Sequence, residues 1–331
     1  MTQILSEDRD SGSDSDNTVV EGAVAPQPKD SLIESETPLI CDDTSSVEEP
    51  APPAAERLKV EVGEFKTLHH WTKPTASTCH TAFFAQAHTT APKLVLGLNK
   101  VDLSPIVRLR AAVRSVDPRG AHIELAAWST TAHYGSGCAW LAVPAESDIQ
   151  CGRHSTWEDW PFGRRVQKKH VWIAFARPFA APPRVVAWLD ALDACMMANV
   201  RACVWADGVT REGFTLHLST WADSRLWQLG AGWLAYPADR TDVRSGAFHT
   251  ESIRPAAQRQ HKHRGHIEWE PMTRAPRVFA ALSMLDFEKW KNLRVQMQTS
   301  EVSATGMVMD IDSWHDTVMH KASAVYVAFD D

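Results

Sequence analysis

The body of this chain repeats itself three times, and that constrains its fold more than any single motif. Trp128, Trp221 and Trp314 are spaced 93 residues apart, twice over. A Gly stands eight positions before each (Gly120, Gly213, Gly306) and an aromatic twelve positions after (Trp140, Trp233, Tyr326). Upstream, the stretches 92–102, 183–193 and 276–286 each run from a Pro through apolar residues to an Asp: Asp102, Asp193 and Asp286. Eight residues beyond each Asp comes an Arg: Arg110, Arg201 and Arg294. Each copy also opens near a Gly (Gly63, Gly152, Gly246). A module of about 85–93 residues can bury a core of its own, which a short solenoid unit cannot.

The texture inside each copy is β. In GFTLHLSTW (213–221), Phe214, Leu216 and Leu218 fall on one face and Thr215, His217 and Ser219 on the other, the alternation of a half-buried strand. GMVMDIDSW (306–314) repeats it, and RVVAWLDAL (184–192) is a short apolar run bounded by turn formers. Five or six strands per copy, with no long amphipathic helix, point to antiparallel sandwiches.

Charge divides the chain differently. Residues 1–56 carry 14 acidic and two basic groups, a net −12, whereas the whole chain is −7, leaving the rest at +5. Rich in Ser, Asp, Glu and Pro, residues 1–57 cannot bury enough apolar surface to offset their ordering entropy and are expected to be a disordered tail. The predicted domains are therefore a tail (1–57) and repeats at 58–146, 147–240 and 241–331. The near-neutral body lacks the dense basic footprint of a nucleic-acid binder. No run approaches the roughly 18 apolar residues of a membrane span. With no signal-like N-terminus, the six Cys argue against a disulfide framework. The expected location is the cytoplasm, with release by a route independent of a signal peptide left open.

Few motifs suggest reaction chemistry. Asn99-Lys100-Val101-Asp102 is similar to a guanine-specificity motif, but no phosphate-cradling Gly-rich loop accompanies it. His261, His263 and His266 lack partners at metal-ligand spacing and read as an exposed basic loop. The repeated Asp reads as a turn former at a strand end. No nucleophile–base set recurs, so neither enzyme activity nor a metal or other cofactor is expected. The repeated Trp and Arg remain. A Trp face offers flat apolar area, and an Arg fork donates to adjacent oxygens; together they suit the C–H face and hydroxyl fringe of a sugar, although each alone also serves packing or solvation.

The second copy, from Phe175 to Ala235, resembles the H-type lectin domain, and so does the third through PRVFAALSMLD, NLRV (292–295) and SWHDT (313–317). The first matches with two residues deleted between Asp102 and Arg110. The resemblance implies an all-β fold of three tandem six-stranded antiparallel sandwiches, without catalysis or a metal requirement. It implies binding of glycans or glycoproteins ending in galactose or N-acetylgalactosamine. The implied sugar contacts are Arg294, Trp314, His315 and His320 in the third copy. The second supplies Arg201, Trp221 and Trp227, and the first Arg110, Trp128 and Tyr134. Ser129 and Ala222 stand where the third copy has His315. The loops WTKPTASTCH, PFGRRVQKKH and RPAAQRQHKH hold no carboxylate where the family uses one. Family members form trimers, so three tandem copies are expected to build an intramolecular pseudo-trimer. The third copy is expected to bind best, and Arg294→Ala to abolish its binding without disturbing the fold. A protein-interaction module that kept the sandwich and lost the sugar is the alternative.

Overall fold

The computed structural model describes residues 60–69, 74–159 and 165–330. The predicted tail lies outside these residues. Repeat 1 supplies β1 (Glu61–Lys66), β2 (Ser77–Phe83), β3 (Lys93–Leu103), β4 (Val107–Asp117), β5 (Gly120–Ala126) and β6 (His133–Val143). Repeat 2 supplies β7 (Gln150–Ser155), a one-turn helix α1 (Thr156–Asp159), β8 (Lys168–Ala174), β9 (Arg184–Ala194), β10 (Val200–Asp207), β11 (Gly213–Ser219) and β12 (Leu226–Tyr236). Repeat 3 supplies β13 (Val243–His249), β14 (Arg264–Glu268), β15 (Arg277–Phe287), β16 (Leu293–Ser303), β17 (Gly306–Asp312) and β18 (Met319–Phe329). The protein is all-β. No helix among the described residues is long and apolar enough to cross a membrane.

Local chemistry explains these strands. Phe214, Leu216 and Leu218 on β11 are fully buried, as their alternation requires. Asp117 ends β4 by accepting the Arg119 and Gly120 N–H groups at 2.7 and 3.1 Å, an Asx turn that reverses the chain into β5. The repeated glycines mark close approaches. Gly63, Gly152 and Gly246 face Trp140, Trp233 and Tyr326 across the first and last strands, and a Cβ on any of them would strike the ring. That is why Gly and aromatic recur together.

Each repeat folds into two layers of three strands, and every layer is completed by another repeat. The three six-stranded sheets run β1-β6-β3-β16-β17-β14, β13-β18-β15-β10-β11-β8 and β2-β5-β4-β9-β12-β7. Strand β3 of repeat 1 thus pairs with β16 of repeat 3, β15 of repeat 3 with β10 of repeat 2, and β9 of repeat 2 with β4 of repeat 1, all antiparallel. The pairing is cyclic, so no repeat ends in an open edge at these strands.

Two cores result. The larger fills the spaces between the paired layers, with Leu98, Leu109, Leu189, Leu216, Leu282 and Met309 among its members. The second gathers one face of all three repeats, including Val95, Leu141, Trp188, Leu234, Phe279 and Val327. At its centre three equivalent positions meet: Gly97, Trp188 and Ala281. The Trp188 indole donates to the Leu96 carbonyl at 2.8 Å. Near the middle of β3, β9 and β15 a bulge leaves one residue unpaired: Asn99, Asp190 and Ser283. Bulges re-aim side chains, and these three polar residues are all buried beside a junction. The Asn-Lys-Val-Asp motif accordingly lies inside β3, not in a nucleotide-binding loop.

Candidate junction sites

The repeated Asp does not cap a turn, as the sequence suggested. It is buried at a junction, opposite an Arg of another repeat. Arg201 Nε lies 3.2 Å from Asp286, and Arg294 Nε lies 3.5 Å from Asp102. At the third junction the residue opposite Asp193 is Arg108, with Nε at 3.4 Å. Arg110, the residue selected by counting from Asp102, pairs instead with Ala191 and lines a cleft described below. Strand β3 reaches β4 through a connection two residues shorter than its counterparts, which misled the count. Measured from the Trp, the register is uniform: Arg108, Arg201 and Arg294 each stand 20 residues before it. Burial pushes the Asp193 carboxyl up to about 6 despite Arg108, and raises Asp286 despite Arg201.

The same guanidinium groups fix the loop that carries the Trp. Arg201 Nη1 donates to Asp223 at 2.6 Å and Arg294 Nη1 to Asp316 at 2.5 Å. These bonds hold both loop carboxyls below their usual range. In repeat 1, Thr130 takes the place of that Asp. Beyond each Trp, Ser129, Ala222 and His315 adopt left-handed backbone, with φ of 57°, 53° and 56°. The N–H groups of Thr131, Ser224 and Thr317 close the turn onto the Trp carbonyls. A shared conformation thus presents Trp128, Trp221 and Trp314, all half-buried, and the first two meet a neighbouring repeat. Trp128 meets Trp157 of α1 at 5.6 Å between ring centroids, and Lys321 Nζ sits 5.5 Å from the Trp221 ring.

The second positions of β6, β12 and β18 bring Tyr134, Trp227 and His320 to the same end of each repeat, half-buried. Arg165 lies 5.5 Å from the Trp227 ring. The His320 carbonyl accepts Arg254 Nη1 at 2.9 Å. In repeat 3, His315 and Asp316 border a depression of about 520 Å³ whose other walls include His261, Arg259 and Glu288.

Two expectations change. His263 does not belong to an exposed loop: it is fully buried, its Nε2 accepts Arg254 Nε at 2.7 Å, and burial lowers its pKa. The segments WTKPTASTCH, PFGRRVQKKH and RPAAQRQHKH hold no carboxylate, but in repeats 2 and 3 the loop begins earlier and its upstream part contains them. Glu158 and Asp159 lie in α1, and Glu251 sits in a 3-10 turn after β13. Arg153 bridges Asp190 at 2.8 Å and Glu158 at 3.0 Å. The signal missed was Glu158-Asp159 itself, a few residues upstream of PFGRRVQKKH. Among the described residues, no group of three or more His, Cys, Asp or Glu could hold a metal ion.

Compared with known families, the chain matches the H-type lectin domain three times, over residues 80–143, 171–236 and 270–329. It belongs to that family. The family is one of carbohydrate-binding domains, and the matched spans include the junction Arg and the Trp turn of every repeat: Arg108 and Trp128, Arg201 and Trp221, Arg294 and Trp314. The chain is also similar to a curated protein of Fuscovulum blasticum called ATP synthase subunits region ORF 7, at 33% identity over 70 residues. That stretch is 21% of this chain and spans 61% of the relative.

Proposed function

We propose that this lectin is non-catalytic, takes terminal galactose or N-acetylgalactosamine, and presents up to three inequivalent sites within a single-chain pseudo-trimer. The observation that carries the reading is the recurrence in every repeat of one Trp turn, with a left-handed residue directly after the Trp and a junction Arg 20 residues before it. A half-buried indole offers a face for a sugar's C–H groups, and adjoining polar residues offer hydrogen bonds to its hydroxyls. Trp314, His315 and His320 are assigned to the third site, Trp221 and Trp227 to the second, and Trp128 and Tyr134 to the first. Arg294 and Arg201 position the Trp loops through Asp316 and Asp223. Cyclic strand pairing supports the pseudo-trimer, since each repeat completes its sheets with both others. The repeats are bounded at 146/147 and 240/241, between β6 and β7 and between β12 and β13.

Weak single sites gain strength when several engage one surface. The test is a glycan array with the whole chain beside Trp314→Ala and Trp221→Ala. Binding to terminal galactose or N-acetylgalactosamine, reduced stepwise by the variants and unchanged by EDTA, is the expected result. A blank array from folded protein would refute it. The alternative is a sandwich kept for binding another protein. One observation favours it: Trp172 and Trp205 are exposed on the outer face of β8 and β10, with His217 stacked on Trp205 at 4.4 Å. Capture of a partner that free sugar does not displace would decide for it.

A further inference from the structure

Where β4 of repeat 1 meets β9 of repeat 2, their shared sheet and Leu94–Leu96 of β3 enclose a cleft of about 430 Å³, in the size range of small-ligand sites. Three residues of its lining each hold a buried polar atom with no hydrogen-bond partner among the described residues: Asp190 Oδ1, Gln228 Oε1 and Arg110 Nε. Asp190 is only 2% exposed and Gln228 1%. Buried polar groups are nearly always paired, by protein, water or ligand, so three residues of one lining that each hold an unpaired polar atom mark the cleft as a place where a bound molecule's polar groups find partners. The unpaired atoms comprise two acceptors and one donor. A hydroxyl-bearing molecule answers both needs, because each hydroxyl donates one hydrogen bond and accepts others.

Charge narrows the class. Arg153 is already bonded to Asp190 and Glu158, and Arg114 to Glu124. Arg110 has no ion pair of its own among the described residues, but Arg153 is shared by two carboxylates, so three guanidinium groups face three carboxylates and the balance favours a neutral ligand over an anion. Trp157 forms one wall, 36% exposed, and supplies an apolar face. The charged set is not repeated at the other junctions. The corresponding cleft between repeats 2 and 3, about 370 Å³, has Cys203, Ala247 and Ser283 where this one has Arg110, Arg153 and Asp190. The third junction has Gln296, Glu64 and Asn99 at these positions. The fold thus does not require these charges.

We propose that this cleft binds a neutral pyranose. Ring hydroxyls donate to Asp190 Oδ1 and Gln228 Oε1 and accept from Arg110, while the ring's C–H face lies on Trp157. The proposal rests on the lectin reading and adds a subsite outside the three Trp turns. Because Trp157 also meets Trp128, the two sites adjoin, and a disaccharide can span them.

The experiment is saturation-transfer NMR and calorimetric titration of the whole chain with lactose and N-acetylgalactosamine. The variants are Trp157→Ala, the isosteric Asp190→Asn, and Trp314→Ala at a different junction. Far-UV circular dichroism checks that each is folded. Trp157→Ala and Asp190→Asn should each weaken lactose binding about tenfold or more at one class of site, and Trp314→Ala should leave that class in place. Unchanged affinity and stoichiometry in both cleft variants, with the wild type still binding sugar, would overturn the cleft alone. Absence of transfer from either sugar to the folded wild type would overturn the lectin reading with it. Displacement of lactose by equimolar sulfate would overturn the assignment to a neutral ligand.

Discussion

Replacing Trp188 by Ala should destabilise the whole ring of sheets, although the residue belongs to a single repeat. The indole is fully buried at the place where the three repeats converge. Gly97 and Gly232 leave room for it: a Cβ on Gly97 would come within 2.7 Å of Trp188 Cδ1, and one on Gly232 would strike its Nε1. Phe279 packs against it with centroids 4.5 Å apart. An aromatic side chain buries about 150–250 Å², worth roughly 4–6 kcal/mol at 25 cal/mol/Å² and less against a compact unfolded chain. Measured Trp-to-Ala truncations in cores cost about 3–5 kcal/mol. The Leu96 carbonyl also loses its donor, adding about 1 kcal/mol or more if no water replaces it. The expected loss is therefore about 4–6 kcal/mol, against a usual total of roughly 5–15 kcal/mol. Urea unfolding followed by circular dichroism at 25 °C measures it. A loss below about 1.5 kcal/mol with an unchanged m-value would refute the argument, because an indole at the centre of a shared core cannot be removed so cheaply.

Arg294→Ala should destabilise by up to about 3–5 kcal/mol, since it takes the cross-junction cation from the fully buried Asp102 and leaves it paired with His69 Nε2 at 2.8 Å; restoration of most of that loss by Asp102→Asn in the same chain is the check. The residue is 4% exposed, so loss of sugar binding in Arg294→Ala does not by itself locate a site, and the Trp variants are the better probes. Asp193 has a folded pKa of about 6, above the 3.8 of an ordinary Asp, so the folded state holds its proton more tightly. Its contribution to stability is full below about pH 4 and is lost as pH rises through 6, on the order of 1–3 kcal/mol in all. Thermal midpoints from pH 4 to 7 should therefore fall less in Asp193→Asn than in the wild type. Ala222→Gly should stabilise by about 1 kcal/mol, because φ is 53° there and a Cβ is disfavoured in left-handed backbone; a lower urea midpoint would contradict this.

What could be read from the sequence follows from which contacts are local. The alternation of Phe214, Leu216 and Leu218 reports a strand because each side chain's environment is set by its own period. The Gly–aromatic coincidence reported an intact cross-strand contact, since Gly63 and Trp140 belong to one repeat and recur together. The junctions were harder, because their pairs join different repeats. Asp102 meets Arg294, about two repeats away, and nothing in their separation marks them as partners. Seen within one copy, the Asp ends an apolar run and looks like a turn former; only its partner shows it to be half of a buried ion pair. The same blindness selected Arg110. Counting forward from Asp102 crosses the shortened β3–β4 connection and lands two residues late, whereas counting back from Trp128 follows two strands and a turn whose combined length is the same in every repeat. Positions in a repeat are therefore best indexed from the side on which the connections do not vary. Applied here, that rule assigns Arg108 to the junction and frees Arg110 for the cleft beside Asp190. One residue then serves the architecture and the other remains available to a ligand.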